Sequence, residues 1–161
     1  RSFIQRVALL RGVAEQDLLD IWEAIRPSKE VVTLLNSLRM KGIKTAILSG
    51  AFTFFTERAR ERLGMDYSVG NQVEILDGEL TGNVRGEIVD GKAKIRKMRE
   101  LAAGLNLTLD QVVAVGDGAN DLDIVREAGT GIAFNKGGVV KAYADAVLPN
   151  GRLGDMLFLI G

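Results

Sequence analysis

Two aspartates that follow an apolar segment are the first residues of this sequence to suggest chemistry. Asp117 comes after Val112–Gly116, a run rich in valine, and Asp121 lies four residues later, where a helical pattern begins. The run predicts a buried strand of a parallel sheet that ends at Asp117. Ligands of open α/β sheets gather outside the carboxyl ends of the strands. Two carboxylates beside glycines at such an end suit a hard cation and a phosphate group.

Ser49 and Gly50 form a second candidate site. They follow an apolar segment, residues 43–48, that we predict to be a strand, and a helical pattern starts soon after them. A hydroxyl group and backbone amides at the start of a helix can hold phosphate oxygens. A plain turn explains the same two residues, so this signal is weak by itself.

Lys94 is the third candidate, near the start of a predicted helix. Other basic residues surround it in sequence, which favours a solvated surface lysine. The order of the candidates along the chain favours a functional role for Lys94 instead. A serine, a lysine and an aspartate, in that order, would supply a phosphate clamp, a cation and a metal ligand. Phosphoryl transfer needs these three groups.

The segment Gly116–Asp121 has two further interpretations. One is a glycine turn followed by a helix cap at Asn120. The other is the dinucleotide fingerprint G-x-G-x-x-G, which requires a third glycine at position 121. That position is an aspartate, which would repel a pyrophosphate, so the sequence disfavours a dinucleotide site.

Composition narrows the chemistry further. The 161 residues include no cysteine and no histidine, which excludes disulfides, zinc–thiolate sites, Ser-His-Asp triads and histidine-ligated metals within this sequence. Basic and acidic residues number 21 each, so the formal net charge is zero and neither nucleic acid nor an anionic membrane is an expected partner. No apolar run is long enough to span a bilayer, and we expect a cytoplasmic protein.

Strand and helix patterns alternate along most of the chain. They predict an α/β fold, a three-layer α/β/α Rossmann-like arrangement around a parallel sheet. Asp77-Gly78 lies between two strand-like runs and predicts a β-hairpin insertion. The predicted strands are 43–48, 73–76, 79–84, 112–115, 130–134 and 146–148, and the predicted helices include 1–11, 14–25, 53–63, 91–103 and 153–160. The composition changes at Pro27, between the opening helices and the sheet region.

Several of these segments together resemble the haloacid dehalogenase superfamily of hydrolases. Leu48–Thr53, Lys94 and Val115–Asp121 are similar to its second, third and fourth motifs. Within the superfamily the chain resembles the phosphatases that act on phosphoserine. Further points of likeness are Arg6–Leu10, Asp77–Gly82 and Gly131–Asn135. The resemblance implies that residues 1–26 are the remnant of a helical cap and residues 27–161 the α/β core without its first strand.

The resemblance also implies a role for each candidate residue at the phosphate. Ser49 would donate a hydrogen bond to the phosphoryl oxygens, with the amide of Gly50 beside it. Lys94 would neutralise the phosphoryl group. Asp117 would bind Mg²⁺, the cofactor that this family implies. The expected reaction is therefore Mg²⁺-dependent hydrolysis of a small phosphorylated metabolite, phosphoserine above all, in serine biosynthesis.

Three other residues receive supporting roles from the same resemblance. Asp121 would steady the loop that carries Asp117 without touching the metal. Asn120 would lie near the phosphate or the substrate. Arg6, in the cap segment, would pair with the substrate carboxylate, a task that suits a guanidinium group.

One motif of the superfamily is absent from this sequence. The first motif, D-x-D-x-T or D-x-D-x-V, supplies the nucleophilic aspartate that becomes an aspartyl phosphate. Asp121-Leu122-Asp123 has two of the letters but belongs to a predicted helix. We therefore expect residues 1–161 to be part of a longer chain whose preceding segment completes the sheet, and we expect this part alone to be inactive.

Two alternative functions and one structural point stay open at this stage. The chain could be a phosphatase or phosphotransferase of the same superfamily that acts on another small metabolite. It could also be a relative that binds phosphate and metal without catalysis. A homodimer is a third open point, because the sequence carries no signal for or against it. A transport ATPase shares the Gly-Asp-Gly-x-Asn-Asp loop but needs membrane spans that this sequence lacks.

Overall fold

The computed structural model of the protein describes residues 2–135, 138–148 and 152–158. The α-helices are α1 (Phe3–Ala8), α2 (Glu15–Ala24), α3 (Lys29–Met40), α4 (Thr53–Leu63), α5 (Gly91–Gly104) and α6 (Leu122–Glu127). The strands are β1 (Ala46–Phe52), β2 (Tyr67–Leu76), β3 (Glu79–Arg85), β4 (Val113–Gly116), β5 (Thr130–Phe134) and β6 (Ala146–Leu148). Short 3-10 helices cover Leu109–Gln111, Ala119–Asp121, Gly138–Ala142 and Leu153–Phe158. The α/β class with parallel strands is confirmed.

The chain divides into two compact units. The first contains Arg1–Ser28 and Lys44–Ile88, and the second contains Lys29–Ile43 and Val89–Gly161. Each unit has its own three-stranded sheet. The predicted boundary at Pro27 between a cap remnant and a core stays a prediction.

The sheet of the first unit has the order β1-β2-β3. β1 and β2 are parallel, with Ala46 opposite Tyr67, and β2 and β3 form an antiparallel hairpin. Asp77 and Gly78 join the hairpin strands with φ angles of 51° and 80°. Two consecutive positive φ values match the right-handed twist of a hairpin, which is why Asp-Gly is favoured there. The predicted hairpin is confirmed, and its first strand is also the parallel partner of β1.

The segment between α1 and α2 is bonded to this hairpin. The amide of Gly12 donates to the carbonyl of Leu80 at 2.8 Å, and the amide of Leu80 donates to the carbonyl of Val13 at 2.8 Å. The side chain of Leu80 is fully buried, and so is that of Val7 from α1, which contacts β3. The opening helices are therefore held to the sheet of the first unit by backbone bonds as well as apolar contacts.

The sheet of the second unit is parallel throughout, in the order β4-β5-β6. Ile132 and Ala133 of β5 have no exposed surface, and Val125 of α6 is 1% exposed. β5 is the central strand, which explains its burial on both faces. Among the described strands, β4 pairs with β5 alone and β1 pairs with β2 alone.

Several element boundaries differ from the sequence prediction. Helix α1 covers Phe3–Ala8 rather than 1–11, β1 begins at Ala46 rather than at residue 43, and β2 begins at Tyr67 rather than at residue 73. β1 runs to Phe52 rather than ending at residue 48, so Ser49 and Gly50 belong to the strand. The final segment forms a 3-10 helix to Phe158, while Leu159 and Ile160 lie outside the described residues. In the part of the chain that the structure describes, no helix combines the length and apolar character needed to cross a membrane.

Candidate active site

Ser49 and Gly50 lie in an irregular part of β1. The parallel pairing is regular up to Leu48 opposite Val69 and resumes at Phe52 opposite Asn71. Between these two pairs β1 advances by four residues and β2 by two, so β1 contains a bulge. A bulge of this kind redirects side chains at the end of a strand. Within it, the Ala51 amide donates to the Ser49 hydroxyl oxygen at 3.1 Å.

Arg6 belongs to the same unit as Ser49. Its guanidinium carbon lies 6.0 Å from the centre of the Phe3 ring, and the edge of Phe3 meets Phe52 with 6.1 Å between ring centres. Phe52 is the last residue of β1. The exposed Arg6 is thus linked through two aromatic rings to the strand that carries Ser49 and Gly50.

In the second unit, Asp117 and Asp121 lie at the carboxyl end of β4. The Asp117 amide donates to Asp121 Oδ2 over a long 3.3 Å, and the Asp121 amide donates to the Gly118 carbonyl at 2.9 Å. A Cβ atom on Gly116 would lie 2.3 Å from the Cβ of Asp121, so only glycine fits at the end of this strand. Because Gly116 has no side chain, the Asp121 carboxylate comes close enough to accept the hydrogen bond from the Asp117 amide.

Lys94 is bound to Asp121 in the interior of this unit. Its Nζ lies 2.5 Å from Asp121 Oδ1, and the two side chains are 4% and 10% exposed. Asp90 starts α5 by accepting the Ala93 amide at 2.8 Å, which places Lys94 in the first turn of the helix. Burial of a lysine requires such a charged partner. The interpretation of Lys94 as a solvated surface residue is therefore wrong.

Asp117 is the exposed carboxylate of the group. Within the part of the chain that the structure describes, its side chain has no hydrogen bond or ion pair, whereas both Asp121 oxygens are engaged. The described residues contain no group of three or more metal-type ligands. Mg²⁺ binds through one or two carboxylates completed by water and substrate phosphates. Asp117 fits as one such ligand, and the engaged Asp121 does not.

The structure thus brings the predicted residues together in two groups. Lys94, Asp117, Asn120 and Asp121 belong to the second unit, where Asn120 is exposed on the 3-10 helix after β4. Arg6, Ser49 and Gly50 belong to the first unit. Their individual roles stay predictions.

Sequence reasoning missed one polar residue of the first unit, near Ser49 and Gly50. Asn71 of β2 is 1% exposed, and its side-chain amide donates to the Gly50 carbonyl at 2.7 Å. Asparagine is depleted in strands, and the surrounding Ser68, Gly70 and Gln72 gave no strand pattern. The available signal was an asparagine just before the alternating residues of the hairpin.

Comparison with known proteins shows the family. The model of the haloacid dehalogenase-like hydrolases matches residues 4–126, and the chain belongs to this family. Its relatives include the phosphoserine phosphatase of Archaeoglobus fulgidus, 42% identical over 92% of this chain, and that of Idiomarina loihiensis, 41% identical over 97%. The chain spans 43% of the first relative and 71% of the second. The predicted resemblance is confirmed.

A solved structure agrees with this assignment. The HAD family hydrolase of Salmonella enterica serovar Typhi superposes with a TM-score of 0.94 at 36% identity. The match covers 99% of this chain and 55% of that one. The predicted α/β fold of the family is therefore present in this chain.

Proposed function

We propose that the protein is a Mg²⁺-dependent phosphomonoester hydrolase that acts on phosphoserine and so yields serine. One observation carries the proposal: the buried Lys94–Asp121 pair, whose carboxylate also binds the amide of the exposed Asp117. A cation held in the interior beside an exposed carboxylate is the arrangement that phosphoryl transfer uses. The phosphoserine phosphatases among its relatives support this substrate.

Each residue has a defined task in the proposed reaction. Ser49 donates its hydroxyl proton to a phosphoryl oxygen, and the Gly50 amide donates beside it. The Nζ of Lys94 has three N–H donors, one of them bonded to Asp121, and balances the negative charge of the phosphoryl group. Asp117 holds Mg²⁺, which when bound stabilises charge on the phosphoryl oxygens.

The nucleophile is part of the proposal as well. The single Asp-x-Asp of the sequence is Asp121-Leu122-Asp123, and Asp123 lies within α6. We place the nucleophilic carboxylate, and with it the remaining protein ligands of the metal, outside these residues. The cytoplasmic location and a homodimer remain predictions.

The activity test uses the complete product of the gene. We expect it to release inorganic phosphate from phosphoserine, and EDTA should abolish the release until Mg²⁺ is restored. Asp117→Asn should lower kcat/KM at least about 100-fold, because the charge that holds the metal is lost. Asp123→Asn, the same change six residues later, is the matched control and should remain within about twofold.

Two results would refute this proposal. One is a complete gene product that releases no phosphate from phosphoserine with Mg²⁺ present. The other concerns the nucleophile. We expect a verified polypeptide of residues 1–161 to show no Mg²⁺-dependent turnover of phosphoserine. Turnover by that polypeptide would place the nucleophile within it.

Arg6 distinguishes phosphoserine from other phosphate esters. If its guanidinium group pairs with the substrate carboxylate, Arg6→Ala should raise KM for phosphoserine about 10-fold or more and hardly change KM for a phosphate ester without a carboxylate. Arg11→Ala, another exposed arginine in the same segment, is the control. Equal effects of Arg6→Ala on both esters would favour a different small metabolite as substrate.

A further inference from the structure

Asn71 has a polar side chain in the interior of the first unit. It is 1% exposed, and its Nδ2 donates to the Gly50 carbonyl at 2.7 Å. A buried amide costs free energy unless it is hydrogen-bonded, so this side chain and the Gly50 carbonyl depend on each other. The bond is short and joins two strands across the bulge of β1.

The same peptide group is held at its other end. The carbonyl of Gly50 and the amide of Ala51 belong to one planar peptide unit. Its carbonyl accepts from Asn71, and its amide donates to the Ser49 hydroxyl oxygen at 3.1 Å. The orientation of this peptide therefore fixes where the Ser49 oxygen accepts its hydrogen bond.

That bond decides what the Ser49 hydroxyl can do. A serine hydroxyl has one proton to donate and lone pairs that accept. Because the Ala51 amide occupies one lone pair, the Ser49 proton must point in another direction. A hydroxyl oriented in advance binds an anion without losing further rotational freedom.

The bulge explains why a side chain is needed at this point. Regular pairing between β1 and β2 stops at Leu48 and resumes at Phe52, so the ladder is interrupted around Gly50. Gly70 brings β2 close to the bulge, since a Cβ atom there would lie 3.0 Å from the Ala51 carbonyl oxygen. Asn71, the next residue, supplies the donor for the Gly50 carbonyl across the interrupted ladder.

We propose that Asn71 is a positioning residue that orients the Ser49 hydroxyl through the peptide between Gly50 and Ala51. The proposal rests on the proposed function, in which the Ser49 hydroxyl donates a hydrogen bond to a phosphoryl oxygen. It assigns a role in phosphate binding to a buried side chain of β2 that acts through its hydrogen bond to the Gly50 carbonyl.

The first experiment replaces the amide of Asn71 in the complete gene product. Asn71→Asp keeps the size but sets a carboxylate against the Gly50 carbonyl, and Asn71→Ala removes the donor altogether. We expect kcat/KM for phosphoserine to fall about 10- to 100-fold in both, because a misdirected donor weakens phosphoryl binding. Asn83→Asp is the control, the same chemical change on β3 of this sheet, and should stay within about twofold.

A double-mutant cycle separates positioning from general stability. If Asn71 acts through the Ser49 hydroxyl, Asn71→Asp should lower kcat/KM no more than about twofold further once Ser49→Ala is present. A residue that only stabilises the fold would give its full effect in both backgrounds. Additive losses would overturn the proposal, and so would wild-type kcat/KM in Asn71→Asp.

A measurement without turnover keeps the inference separate from the proposed function. Amide hydrogen exchange of Ala51 should accelerate about 10-fold or more in Asn71→Asp and Asn71→Ala relative to Leu48, as the peptide loses its orientation. If the protein has no phosphatase activity, the proposed function is wrong. The inference about Asn71 is then tested by titrating the protein with inorganic phosphate and following the backbone amide shifts. Amide shifts of Ser49 and Ala51 that occur in the wild type and vanish in Asn71→Asp support it.

The contrary outcomes are equally defined. Unchanged Ala51 exchange in both variants would overturn the inference even if phosphoserine is hydrolysed. So would phosphate-induced shifts of Ser49 that persist in Asn71→Asp. If both Asn71 variants unfold while Asn83→Asp folds, Asn71 is a stability residue and the inference is wrong.

Discussion

The ends of β1 and β4 hold their polar residues by opposite means. At the end of β1, Ser49 and Gly50 are fixed by hydrogen bonds between uncharged groups around one peptide. At the end of β4, the Asp117 backbone rests on a buried ion pair between Lys94 and Asp121. One end relies on a bulge in the strand, and the other on two opposite charges in the interior.

This difference predicts different sensitivities. The exposed hydrogen bond from the Ala51 amide to the Ser49 hydroxyl contributes about 0.5–1.5 kcal/mol, so its loss changes orientation more than stability. A buried ion pair leaves an uncompensated charge in the interior when one partner is removed, which costs about 3–5 kcal/mol. Removal of the Ser49 hydroxyl should therefore cost alignment more than stability, whereas mutation of the ion pair at the β4 end should cost stability.

The largest effect should follow from Lys94→Met. The variant leaves the Asp121 carboxylate buried without its cation, and we expect the free energy of unfolding to fall by about 3–5 kcal/mol. Urea denaturation followed by circular dichroism measures it. Lys97→Met, which removes an exposed pair with Glu100, is the control and should cost less than about 1 kcal/mol. Equal losses in the two variants would contradict a charged interior at the β4 end.

A smaller loss should follow from Gly116→Ala. The new Cβ atom would meet the Cβ of Asp121 at 2.3 Å, so the loop must move, at a cost of about 1–3 kcal/mol. Gly118→Ala is the control on the same loop, since its Cβ would approach only the Oδ1 of Asn120, the end of an exposed side chain. Its unfolding free energy should stay within about 0.5 kcal/mol of the wild type.

Ser49→Ala should have a still smaller effect on stability. It removes one hydrogen bond between uncharged groups at 3.1 Å, so the free energy of unfolding should fall by only about 1 kcal/mol. The same urea titrations compare it with Lys94→Met. A loss as large as that of Lys94→Met would mean that the two strand ends do not differ in the way described.

The mildest effect should come from Glu74, an ionised group of the hairpin. Hydrogen bonds from Asn83, Arg85 and Thr81 lower its pKa from 4.5 to about 2. A lowered folded-state pKa gives stability that is present above pH 4.5 and disappears as the pH falls towards 2. Glu74→Gln should therefore flatten the dependence of the urea midpoint on pH in this range.

Salt sharpens the contrast between this carboxylate and the buried one. The stabilisation from Glu74 should weaken in about 1 M NaCl, because its partner Arg85 is well exposed and ions screen the pair. The cost of Lys94→Met should hardly change in the same salt. A salt-dependent Lys94 effect would show that water reaches the pair.

Local signals in the sequence predicted several elements correctly. Helix α4 has its predicted bounds because Gly64 ends it with a φ of 63°, a conformation that favours glycine. The Asp77-Gly78 hairpin depends on two positive φ angles that those residues adopt easily. The bounds of β5 and β6 also match the prediction. In each case the signal lies within the element or next to it.

The remaining features depend on contacts between distant parts of the chain. The first half of β2 has little strand character in its sequence and exists through pairing of Tyr67 with Ala46 and the residues that follow. The run of basic residues on α5 hid the buried position of Lys94, whose partner Asp121 lies 27 residues away. Spacing alone cannot reveal such a pair. The loop motif after β4 indicated a candidate site, but only the fold shows which carboxylate is exposed.

The position of α3 along the chain has a consequence for biosynthesis. This helix buries Leu34, Leu35 and Leu38 within the second unit, and it contacts the 3-10 helix Leu153–Phe158. Residues 41–152 lie between α3 and that 3-10 helix, so the ribosome makes the two elements about 5 to 25 s apart at ordinary elongation rates. During this interval α3 lacks its contacts with residues 153–158. The second unit can complete its core only after residues 153–158 have been made, because Met156 of that segment is itself buried.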